Sequence, residues 1–262
     1  MTRLSRWVVV LLGACHLAAA SPAALADCYA ARLSDGIAAC RERVAGMVAP
    51  AEAAAARLAA GGQLYALGSL PGFDIEALNR AGGLGMLQRV TAKTTWRAGD
   101  VALYGLLGNG LAADVATIGQ LRAQGVMVVA FGSRGAAAAA ADTWVDTNVV
   151  DHGLAVTLPN GLRTAPLDGV LSVANLWAFS GELVAALTRL GKMPVILQSV
   201  FLPGARERNA ALRGKPFDDR QAIAAVPAGQ LGAAYLDRLA EHLEHLQRPA
   251  ALEALARGGR QA

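Results

Sequence analysis

A handful of residues stand where donors or proton-transfer groups could converge on a ligand. Gly68-Ser69-Leu70-Pro71-Gly72 follows the apolar run Gln63–Leu67, so Ser69 could donate to a ligand at a strand–helix junction or cap the helix that follows. Gly108-Asn109-Gly110 could offer backbone N–H groups to an anion at a helix start, or be a plain tight turn. Ser133 follows the run Val126–Phe131 and has the same placement. His152 beside Asp151 could form an acid–base pair, the alternative being an exposed loop histidine. Glu182 lies inside a long helical stretch and could abstract a proton beside a carbonyl, or be a paired structural glutamate. Glu241, His242, Glu244 and His245 share one helix without a convergent third ligand and read as a solvated face. No Cys–His cluster has metal-ligand spacing, so neither a metal nor a cofactor is expected.

These residues need elements to hold them. Ala98–Gly110 followed by the helical run Ala112–Gln124 and then Gly125–Phe131 reads as one βαβ unit. Its glycine turn falls at the carboxyl end of a strand, where open α/β sheets place ligands. Around this unit the pattern predicts helices over Asp27–Ala60, a strand over Gln63–Leu67, a helix over Ile75–Arg80 and strands at Val101–Leu107 and Val126–Phe131. Beyond them come a short helix Ala136–Ala141, a strand Trp144–Thr147 and a hairpin from Ala155 through Pro159-Asn160-Gly161. A long helix Val170–Arg189, a last strand Pro194–Val200 and a helix Tyr235–Gln247 complete the reading. Alternating strands and helices imply a doubly wound α/β domain.

The order of turns resembles the SIS (sugar isomerase) superfamily, in its bacterial phosphosugar-binding branch, from about Cys28 to Asp219. The stretches that carry the resemblance are Tyr65–Ser69 with Arg80–Leu84, Gly99-Asp100-Val101 with Gly108-Asn109, Asp142–Thr147, and Ser199 through Pro203-Gly204 to Asn209–Leu212. The resemblance implies a five-stranded parallel sheet, flavodoxin-like and flanked by helices, in a homodimer that binds a phosphosugar over the strand ends. It also makes Glu182 the counterpart of the family's helical glutamate. The chain departs at the family's phosphate-gripping positions. The first turn has one hydroxyl and no histidine, Leu106-Leu107-Gly108-Asn109 replaces a Ser-x-Ser-Gly pattern, Leu154 stands where an aspartate is usual, and Ala165–Gly169 replaces Gly-Pro-x-Ser-Thr. Leucines donate nothing to a phosphate, and Asp168 repels the dianion.

Composition narrows the classes further. Of 262 residues 54% are hydrophobic, 17% charged and 5% aromatic, which favours a packed core over disorder. Arginines are scattered without a basic stripe, so no nucleic-acid partner is expected. Arg3 and Arg6, the apolar run Trp7–Ala20 and Ala24-Leu25-Ala26 have the layout of a secretory signal peptide ending before Asp27. Removal of the two arginines takes the formal charge from +4 to +2. Leu12-Gly13-Ala14-Cys15 offers a rival lipoprotein reading, with membrane attachment only through a lipidated Cys15.

Cys28 and Cys40, the pair left after processing, could bond only if the helix breaks between them. The expected organisation is a signal peptide (1–26), an N-terminal helical segment (27–60), an α/β domain (61–219) and a C-terminal helical extension (220–262). The alanine-rich segment 27–60 carries more small apolar surface than a lone helix tolerates, which points to a homodimer. The functional expectation is an exported, periplasmic or secreted, carbohydrate-binding protein of SIS type whose aldose–ketose isomerase activity is weak or lost. The catalytic candidates are Glu182 and His152, and the ligand-binding candidates Gly68, Ser69, Gly108, Asn109 and Ser133. Two alternatives stay open: an active isomerase on an unphosphorylated sugar, and an envelope interaction protein that keeps only the fold.

Overall fold

In the computed structural model, which describes residues 15–16 and 22–248 apart from residues 79, 159 and 222, the chain begins with β1 (Cys15–His16), α1 (Pro22–Glu42) and α2 (Val44–Ala59). There follow β2 (Leu64–Gly68), α3 (Phe73–Leu78), β3 (Leu87–Arg89), β4 (Val101–Gly105), α4 (Ala112–Ala123) and β5 (Met127–Gly132). Next come α5 (Ala136–Ala140), β6 (Thr143–Asp146), a 3-10 turn at Asp151–Gly153, and the hairpin strands β7 (Val156–Thr157) and β8 (Arg163–Thr164). Three helices complete the described residues: α6 (Asp168–Arg189), α7 (Ala205–Leu212) and α8 (Gln230–Leu246).

Five strands form one parallel sheet in the order β3-β2-β4-β5-β6. β4 and β5 are buried along their whole length, as central parallel strands must be when helices cover both faces. One face packs against α2 and α6, with Phe131 between Phe73 (ring centroids 5.5 Å apart) and Phe179 (5.8 Å). Ile118 and Leu121 of α4 and Ala137 and Ala138 of α5 cover the other face over Ala102, Tyr104, Val128 and Ala130. Strand order reverses between β2 and β4, which opens a crevice at their carboxyl ends. The α/β class and the five parallel strands agree with the sequence reading.

The alanines of α2 serve close packing. Ala51, Ala54 and Ala55 are fully buried, and α2 and α8 both lie against α6, while α1 lies against α8. α6 is long and apolar enough to cross a membrane by composition, and here it is the core helix. One face of α1 and α2 is thus covered within the chain, while Ala31, Ala38, Ala45, Ala49, Ala53 and Ala56 stay exposed.

Three expectations change. Pro194–Val200 is no strand of the main sheet. Val195 and Leu197 instead bond the Gly82–Gly85 segment, with Gly82 N–H to Leu197 O at 2.7 Å and Gly85 N–H to Val195 O at 2.7 Å. The fifth strand is β3, whose Gln88 and Arg89 are exposed, so a polar edge strand carried no apolar run to read. Cys28 and Cys40 lie on the unbroken helix α1, roughly 18 Å apart at 1.5 Å per residue, and Cys40 is a free buried thiol, so the two do not pair. Most of the expected signal segment lies outside the described residues, and α1 runs through Ala26-Asp27.

Candidate functional site

β2 and β4 come unusually close at their carboxyl ends. Gly68 (φ 136°) lies opposite Gly105, and a Cβ on Gly68 would sit 2.1 Å from the Gly105 carbonyl oxygen, so only glycine fits. The chain then turns through Ser69, whose hydroxyl faces the start of α4. There the site meets a residue that sequence reasoning passed over, Asp114.

Asp114 occupies the first turn of α4 and is 3% exposed. Its carboxylate accepts the Ser69 hydroxyl (2.8 Å), the Leu111 N–H (2.6 Å) and the Tyr104 hydroxyl (2.7 Å). Ser69 Oγ in turn accepts the Leu107 N–H at 3.0 Å. An anion at a helix N-terminus is stabilised by the partial positive charge there, and in this chain that anion is covalently part of the helix. Burial, and then the bond to Asp114, raises the Tyr104 pKa, so its proton stays on the phenol and keeps donating. The signal for this was an acid in the first turn after a glycine turn. The partner residues became visible only in the fold.

The second half of the carboxyl edge is arranged differently. Gly108 (φ 59°) has no side chain because the His152 ring lies against it, with Cε1 at 2.6 Å from a built Cβ. The Gly108 carbonyl accepts the Ser133 N–H (2.9 Å), and Ser133 Oγ lies 3.2 Å from Thr147 Oγ1. His152 Nδ1 lies 3.1 Å from Asp168 Oδ2, and the other Asp168 oxygen accepts the Gly169 N–H at 2.8 Å. The His152 side chain is 53% exposed and that of Asp168 7%. His152 also holds a left-handed backbone (φ 59°, ψ 11°), uncommon for a residue with a Cβ and characteristic of positions that the surrounding structure over-determines.

The fold therefore gathers Gly68, Ser69, Gly108, Ser133 and His152 at one edge of the sheet. Asn109 lies on the rim, exposed, with its carbonyl packed against Gly135. The Asp151 side chain lies outside the described residues, and the carboxylate that meets His152 is Asp168. A carboxylate that fixes an imidazole leaves its other nitrogen able to take or give a proton.

Glu182 is elsewhere. It is fully buried, fourteen residues and so about 21 Å along α6 from Asp168. Its two oxygens accept the Gly229 N–H (2.7 Å) and the Gly232 N–H (2.8 Å) at the start of α8. Glu182 thus caps α8, which is the structural alternative to its role as a proton-abstracting base.

No family model matches the chain, and no curated protein matches it. Among solved structures, a candidate phosphosugar isomerase from Silicibacter pomeroyi DSS-3 is similar at 11% identity and a TM-score of 0.41, over 71% of this chain and 54% of that one. The chain thus spans about half the length of that structure.

Proposed function

We propose that this protein binds an uncharged carbohydrate or carbohydrate derivative over the carboxyl edge of its sheet, and binds phosphate esters poorly. The observation that carries the reading is the Asp114 carboxylate. It takes the Ser69 hydroxyl and the Leu111 N–H, donors that would otherwise face an incoming anion. A phosphate dianion beside it would meet like charge in a buried setting. A neutral polyol meets no such penalty and finds His152, Asp168 and Ser133 as partners along the same edge. The commitment of Glu182 to α8 supports weak or lost isomerase activity, because aldose–ketose interconversion needs a base beside the sugar carbonyl.

Export belongs to the same proposal. The basic start, the apolar run and Ala24-Leu25-Ala26 support secretion, and a compartment outside the cytosol suits a ligand without phosphate. Intact-mass measurement of the exported protein checks this, with Asp27 as the expected first residue and a lipid mass on Cys15 as the contrary outcome.

The test of binding is a thermal-shift and calorimetric screen of the protein against neutral sugars, amino sugars, peptidoglycan fragments and sugar phosphates. A neutral ligand at 100 times its Kd stabilises the fold by about 2.7 kcal/mol. Micromolar binding of fructose 6-phosphate to the unaltered protein overturns the reading.

The His152–Asp168 pair favours one second reading, an isomerase on an unphosphorylated sugar with His152 moving the proton. Turnover that disappears in His152→Ala while binding persists supports it.

A further inference from the structure

The amino-terminal end of the sheet, opposite His152, carries a groove of about 440 Å³. It runs between the starts of β2 and β3 and the 213–217 segment after α7, and its apolar wall is formed by Leu58, Leu64, Met86, Leu87 and Phe217. A hollow of about 150 Å³ adjoins it, sharing Gly85, Leu87 and Arg213 and adding Arg89. Among the described residues no carboxylate lines either one.

The charges around them are unequal. Arg208 and Arg220 both pair with buried Asp218, at 3.7 Å and 2.8 Å. Asp100, the acid nearest Gln63, is fully buried and turned to the Gln63 and Arg97 N–H groups at 2.9 Å each. Arg89 and Arg213 are exposed at the groove, and among the described residues neither side chain makes a hydrogen bond or ion pair. Lys192 adds a third cation, 5.6 Å from the centre of the Phe217 ring. Charged residues that only guard a sheet edge need no apolar hollow beneath them. Here the groove of about 440 Å³ lies within the about 300–1,000 Å³ usual for small-molecule sites.

From this we infer a second ligand site, independent of the carbohydrate reading, that takes an aliphatic carboxylate: its head on the Arg213 and Arg89 guanidinium groups and its chain along Leu64, Leu87 and Phe217. A guanidinium fork matches a carboxylate in plane and charge. Bare phosphate satisfies the arginines and leaves the apolar wall uncovered, so it binds less well. A fatty acid and the free C-terminus of an apolar peptide present the same chemistry.

Calorimetry on the full chain separates them, with decanoate and N-acetyl-leucyl-leucine as probes and decanol, the leucyl-leucine amide and inorganic phosphate as controls. Each carboxylate that is the native class binds at least about tenfold more tightly than its neutral control, a difference of one charged hydrogen bond. The tighter of the two probes names the source. Arg213→Gln weakens binding about tenfold and Arg89→Gln less, and both variants fold because neither side chain has a partner to lose among the described residues. His152→Ala leaves the carboxylate isotherm unchanged, which keeps the result separate from any failure at the carboxyl edge. Equal affinity for decanoate and decanol, binding undiminished in Arg213→Gln, or no binding of either carboxylate overturns the inference.

Discussion

Asp114 and Asp168 invite comparison because both are carboxylates at helix starts on the same edge of the sheet, 3% and 5% exposed. Asp114 takes three donors from inside the fold, and all of them are anchored by neighbouring strands and turns. Asp168 takes one backbone N–H and a histidine whose ring is half in solvent. Burial of an acid therefore says little about a site. What distinguishes the two halves is whether a partner remains within reach of an outside molecule. On the α4 side the helix N-terminus is closed by its own anion, and on the α6 side an orientable imidazole remains.

Glu182 gives the largest effect and calibrates a fully internal carboxylate. Glu182→Ala leaves the Gly229 and Gly232 N–H groups without their acceptor and lowers stability by about 3 kcal/mol in urea denaturation. A loss as small as that of a surface substitution would break the equation of Glu182 with a cap.

Asp114→Ala is the direct attack on the closed half. It lowers stability by about 2 kcal/mol and returns the Ser69 hydroxyl and Leu111 N–H to an incoming ligand. Inorganic phosphate then binds at least about tenfold more tightly than to the unaltered protein, as measured by calorimetry. Unchanged phosphate affinity would show that something other than this carboxylate keeps anions out.

Cys40 extends the comparison to a buried thiol. Burial pushes its thiol from 9.0 up to about 12. The unfolded chain gives up that proton near pH 9 and the fold holds it to about 12, so stability is complete below pH 9 and falls as pH rises through that window. Denaturation curves between pH 8 and pH 11 show this slope, and Cys40→Ala makes it shallower. An equal slope in the variant would assign it to other groups.

The smallest expected change sharpens the open half. His152→Gly relieves the left-handed backbone at φ 59° and raises the melting temperature, a gain of about 1 kcal/mol, while it removes the Asp168 partner and the carbohydrate response. A gain in stability without loss of binding would leave His152 as a turn residue and move the site elsewhere along the edge.

Much of the scaffold was legible because fully buried strands leave a strong signal. Val126–Phe131 is continuously apolar, and β5 follows it to within a residue at each end. The glycine turn Gly108-Asn109-Gly110 marked the start of α4 for the same reason, since positive φ at Gly108 and Gly110 suits glycine. β3 was not legible: a three-residue edge strand of Leu, Gln and Arg has neither length nor periodicity. Of the site, Ser69, Gly108, Ser133 and His152 could be named from their places after strands. Asp114 could not be given a role and Asp168 only that of repelling an anion, because a carboxylate shows its partners only when the chain brings them near.

By itself the sequence determined the elements and the layer they belong to, through the lengths of apolar runs and the glycines and prolines that stop them. It also set the poverty of hydroxyl donors in the turns, which is a matter of residue type. Tertiary structure decided the fate of each polar group. Ser69 and Asp114 lie 45 residues apart and share a hydrogen bond, Glu182 reaches Gly229 across 47, and His152 meets Asp168 across 16 through a turn that local pattern did not announce. A hydrogen bond falls off within tenths of an ångström and depends on direction, whereas hydrophobic periodicity survives averaging over a whole element. Layers are therefore written locally along the chain, and sites exist only once distant segments have been packed to contact.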